Sequence, residues 1–109
     1  MGAAVPHMRA LGDCLALALL QAKGHDPATL QGRKNALPSN FVCPQAWRTK
    51  VPEELYPTAY VAEQTLDTLD IWNASGSHDP FFLMMSFPDP HHPFTPPGRY
   101  WDMYDPADA

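Results

Sequence analysis

Phe81-Phe82-Leu83-Met84-Met85-Ser86-Phe87 is the stretch whose reading decides the fold. Five prolines follow it closely, at positions 88, 90, 93, 96 and 97. A short apolar run bounded by proline reads as a strand buried on both faces. Proline has no N–H to give a ladder, so the strand must stop near Phe87 or Pro88. A stiff loop then leaves its carboxyl end, carrying Asp89, His91 and His92, the densest ionisable group in the chain. Open α/β sheets place ligands beyond the carboxyl ends of their strands. The sequence therefore puts its most reactive side chains where such a fold binds.

Working outward, the 109 residues are enough for one small domain. Thirteen prolines, clustered after residue 26, predict a loop-rich chain. The formal net charge of −5 and the scatter of Lys and Arg leave no basic patch, which argues against nucleic acid and against anionic membrane. No apolar run approaches the ~20 residues of a membrane span. Cys14 and Cys43 are too few for a disulfide framework and read as two reduced thiols of a cytoplasmic chain. The apolar residues after Cys14 lack a small-residue cleavage site, and Asp13 abuts them, so they make a poor leader.

Before the strand, Met8, Leu11, Leu15, Ala18, Leu19 and Ala22 recur at helical steps from His7 to Lys23. Leu17 and Leu20 widen that arc, and Gly24 is the stop. The segment before it, Met1 to Pro6, has no period and is expected to fray. From His25 to Glu54 no period is sustained, and a loop of that length is either functional or held by neighbouring structure. A second helix is predicted from Tyr56 to about Trp72. Pro57 sits in its first turn, and Val61, Ala62, Thr65, Leu66, Leu69 and Trp72 form its apolar stripe. Asn73-Ala74-Ser75 matches a glycosylation sequon but reads as the turn closing this helix.

The order Ser86-Phe87-Pro88-Asp89-Pro90-His91-His92-Pro93-Phe94, then Pro96-Pro97, then Tyr100 and Asp102-Met103-Tyr104, resembles the central segment of bacterial sulfatases. These belong to the alkaline-phosphatase-like superfamily, together with the phosphonate monoester hydrolases. Leu55 to Leu66 resembles the helix preceding that segment, and the resemblance extends over about Gly24 to Ala109. It implies an α/β fold, a mostly parallel sheet covered by helices. Residues 1–109 are then expected to be an internal part of a sulfatase-type catalytic domain: two helices, a long loop, and one central buried strand with its C-terminal loop.

The resemblance implies that the intact parent hydrolyses sulfate esters. It assigns His91 as the catalytic group and His91 with His92 as substrate-binding residues. An imidazole there stabilises developing negative charge and delivers a proton to the departing oxygen. Read from the residues alone, a loop histidine is better explained by hydrogen bonds to loop backbone. Asp89, His91 and His92 also suggest a metal site, but adjacent histidines seldom serve one ion and a fourth ligand is missing. Asp89 is expected instead to fold onto loop amides. The resemblance implies calcium, magnesium or manganese in the parent, held by residues other than these, with none bound by this segment.

The family's nucleophile is a formylglycine made from a cysteine with an arginine four positions later. Alanine stands four positions after Cys14 and tryptophan four after Cys43, so neither fits. Cys14 then reads as a helix-core thiol and Cys43 as a loop packing residue. Arg99, Tyr100, Trp101 and Tyr104 either line a substrate groove or pack the loop. The ester remains open between sulfate and a phosphonate or phosphate monoester or diester, with a periplasmic or secreted parent as the other compartment. A non-catalytic segment docking a protein through Pro88 to Tyr104 is the reading from a different class.

Overall fold

In the computed structural model, residues 8–109 are described, with side chains from residue 15 onward. The expectations for residues 1–6, and for the side chains of Met8, Leu11 and Cys14, lie outside that range.

Helix α1 runs Met8–Ala22 and ends as its sequence dictates. Gly24 adopts φ +81, and its N–H reaches the Gln21 carbonyl while His25 N–H reaches that of Leu20. That pair of bonds satisfies carbonyls left over at a helix end, and the positive φ favours glycine. A one-turn helix, α2 (Pro27–Leu30), follows at once, with the Asp26 carboxylate accepting from Ala28 N–H at 3.0 Å and Pro27 in its first turn.

The segment from 25 to 54 is more ordered than its lack of period suggests. It holds α2 and two 3₁₀ turns, Arg33–Asn35 and Glu53–Leu55. Asn35 Nδ2 donates to the Ala28 and Gln31 carbonyls, and Leu37 N–H donates to Arg48. These bonds are side chain to backbone or across the loop, so no periodicity records them.

Helix α3 runs Pro57–Ala74. Ser75 Oγ closes its last turn on the Trp72 carbonyl, and Gly76 at φ +68 releases the chain. None of its side chains is fully buried: Val61, Ala62, Thr65, Leu69 and Trp72 are half-covered, and Leu66 is 61% exposed. The core is small. Leu20, Val51 and Leu55 are buried together, with Leu30 and Tyr56 against them. Leu20, from the edge of the predicted arc, is its centre, while Leu17 faces water. Val51 and Leu55 come from the stretch just before α3, so that stretch is the floor on which α1 rests.

The expected buried strand at Phe81 to Phe87 does not form. No strand occurs among the described residues, only isolated bridges joining Cys43 to Ala46 and Ala46 to Phe94. Phe81, Phe82, Leu83, Met84 and Met85 are all exposed, Phe82 to 90%. A buried strand must pair its N–H and C=O groups with a neighbour, and no described segment offers one. The apolar run therefore lies on the surface, half-covered at Phe81, which packs on Trp72 at a ring separation of 4.4 Å, and at Leu83 and Met85. The radius of gyration, 17.0 Å, exceeds the ~13 Å of a compact chain near this length.

Candidate functional site

Several ties fix the loop after Phe87 against the rest of the chain. Phe94 N–H donates to Gln45, and Trp47 N–H donates back to Phe94. The Arg48 guanidinium pairs with Asp102 at 3.1 Å. The Arg99 backbone N–H donates to Glu53 Oε1 at 2.8 Å, and its guanidinium lies 3.4 Å from the same carboxylate. The peptide bonds before Pro90 and Pro93 are cis.

These ties hold the loop across the start of α3 and enclose a cavity of about 360 Å³. Asp89, His91 and His92 line it together with Trp47, Thr49, Tyr56 and Thr95. The sequence-predicted trio thus shares one concave site. The imidazoles of His91 and His92 stack at 4.4 Å with 28° between their planes. His91 Nδ1 stands 2.6 Å from the His92 carbonyl. A carbonyl only accepts, so Nδ1 must carry the proton in that bond.

Asp89 departs from expectation. Its Oδ2 accepts from the Thr58 hydroxyl at 2.9 Å, so it reaches the first turn of α3 instead of loop amides. Tyr56, which the sequence did not single out, is the hinge of the site. Its phenol lies 3.0 Å from the Thr95 hydroxyl. Burial pushes the phenol's pKa above its ordinary value of 10.0, the Thr95 bond pulls against that, and the Asp89 charge adds to the rise. Tyr56 is therefore a neutral hydroxyl at physiological pH. Only its place before Pro57 marked it in sequence, and that speaks to the helix.

A second cavity, about 870 Å³, adjoins the first and shares Tyr56, Asp89 and Thr95 with it. Tyr100 and Phe94 give it aromatic walls, and Ala59 and Ala62 of α3 its floor. Tyr100 thus lines a cavity, whereas Trp101 packs edge-on against Phe41 and Tyr104 is 84% exposed. Cys43 is a half-buried free thiol.

Among the described residues no group of three or more His, Cys, Asp or Glu could hold a metal ion. Asp89 is turned to Thr58 and the two imidazoles face each other, so the donors of this site do not fit a divalent cation. Nor is any described helix long and apolar enough to cross a membrane.

Sequence comparison supports a sulfatase-related segment. An arylsulfatase of Clostridium perfringens (strain 13 / Type A) is 45% identical over 56 residues. The match takes in 51% of this chain and 11% of the arylsulfatase, so the chain spans about a tenth of that relative's length. No family model and no solved structure matches the chain.

Proposed function

We propose that this chain is part of an α/β sulfatase-type hydrolase and supplies the leaving-group side of a sulfate-ester site. The observation that carries it is the convergence of His91 and His92 on the smaller cavity, in a chain 45% identical over 56 residues to an arylsulfatase. His91 acts as its imidazolium, with Nδ1–H held by the His92 carbonyl. As the parent's nucleophile bonds to sulfur and the S–O bond to the organic group breaks, that bond's electron pair passes to the departing oxygen, and the imidazolium's other N–H supplies the proton, leaving a neutral imidazole. His92, stacked on His91, adds a second donor toward the sulfate oxygens. The nucleophile and the expected calcium, magnesium or manganese belong to other parts of the parent, so the 109 residues alone are predicted to have no appreciable turnover.

A chimera tests this. Residues 24–109 replace the corresponding segment of the Clostridium perfringens arylsulfatase, and 4-nitrophenyl sulfate and phenyl phosphonate monoesters are assayed. The sulfate is expected to be the better substrate. His91→Ala is expected to lower kcat by about 10²- to 10⁴-fold, the usual weight of a general acid. Turnover unchanged by that substitution, in a chimera of unaltered circular dichroism, overturns the assignment.

A second reading has one observation in its favour. The exposed run from Phe81 to Met85 is the kind of apolar surface that marks a protein contact. It describes a non-catalytic segment whose purpose is docking, and a folded chimera with no activity on either ester favours it.

A further inference from the structure

Taking the sulfate-ester reading as its basis, we propose that the larger cavity receives the ester's organic group and selects an aromatic group carrying a positive charge over one carrying a carboxylate. The two cavities meet at Tyr56, Asp89 and Thr95. An ester whose anionic head lies at the imidazoles of the smaller one therefore extends its remaining atoms into the larger. That larger cavity is walled by Tyr100, Phe94 and the Pro96-Pro97 pair, surfaces suited to a flat apolar group. Its charged lining is of one sign: Glu53, Glu54 and Asp89, with no Lys, Arg or His.

The three carboxylates are not equivalent. Glu53 is committed to Arg99, through both the guanidinium and the backbone N–H. Asp89 accepts from Thr58, a neutral donor, and no ion pair to Lys or Arg involves it among the described residues. Glu54 makes no ion pair among the described residues. An ammonium on the aromatic group meets Glu54 and Asp89 favourably and finds a π-face at Phe94, whereas the Tyr100 ring already carries the Arg99 guanidinium at 5.0 Å. A carboxylate in the same place meets like charge from Glu54 and Asp89, while the Arg99 guanidinium beside Tyr100 is engaged by Glu53 and by the Tyr100 hydroxyl.

The test uses the 109-residue chain and needs no turnover. Tyramine and 4-hydroxyphenylacetate, alike in ring and opposite in charge, are titrated while amide signals of Ala59, Ala62 and Tyr100 are followed by nuclear magnetic resonance. Tyramine is expected to bind about three- to tenfold more tightly, the size of one partly exposed charge contact. Glu54→Gln should lower the ratio, with helix content unchanged. Ala62→Phe, which fills the floor without altering charge, should weaken both ligands together. Equal affinity in the wild type, a ratio that survives Glu54→Gln, or no saturable response at these amides overturns the proposal. The chimera's dependence on His91 judges the ester reading separately, so failure of one does not masquerade as failure of the other.

Discussion

The Tyr56 phenol and the Thr95 hydroxyl meet at 3.0 Å across thirty-nine residues of sequence. This bond pins the start of α3 to the proline loop and stands on the ridge between the two cavities. It also joins the small core, through Tyr56, to the loop that carries both imidazoles.

Tyr56→Phe and Thr95→Ala are each expected to destabilise the chain by about 0.5–1.5 kcal/mol, the usual net value of such a bond. A double-mutant cycle by urea denaturation should show a coupling of the same order. Strict additivity would mean that the two hydroxyls are bonded to water in solution.

The raised pKa of Tyr56 gives stability a pH dependence of definite sign. Between the unfolded pKa, about 10, and the higher folded one, the native chain keeps a proton that the unfolded chain has released. The contribution is therefore complete below about pH 10 and is lost as pH rises through the folded pKa. Among four tyrosines, one should ionise late when absorbance near 295 nm is followed. Tyr56→Phe should remove that late phase and flatten the alkaline loss of stability.

Gly98→Ala should be costly although the position is exposed. Gly98 adopts φ +51, and an added Cβ there would come within 2.5 Å of Glu53 Oε1. The left-handed backbone costs a side chain about 1–2 kcal/mol, and Glu53 must also move away from Arg99. The expected result is a destabilisation of about 2 kcal/mol or more, partly relieved in a Glu53→Ala background. An unchanged melting temperature would show that this turn does not hold the loop.

Phe82→Lys should leave the stability of the free chain within about 0.5 kcal/mol, as for an exposed position without special contacts. It should also lower self-association in sedimentation velocity and reduce dye binding to apolar surface. In the chimera the same substitution is expected to abolish folding, because there the run is proposed to be a covered strand. A chimera indifferent to lysine at this position would remove the strand from the proposed fold.

What could be read from the residues follows the range of the forces involved. The ends of α1 and α3 were legible because glycine and proline act through their own backbone, as at Gly24 and Pro57. Convergence of Asp89, His91 and His92 followed from their closeness in sequence and the stiffness of the loop. Arg48 with Asp102, Glu53 with Arg99 and Tyr56 with Thr95 were invisible, because each joins distant residues by a contact that no period or spacing encodes. The strand failed to appear for a related reason. Its apolar pattern specifies burial, whereas burial needs partners that the described residues do not contain.

The run at Phe81 to Met85 has a cost inside a cell. Extended apolar segments of this kind are what chaperones and quality-control proteases detect, and a chain that shows one permanently is triaged as though it had just left the ribosome. Its abundance is then set by how quickly something covers that surface, ahead of any affinity for a small molecule.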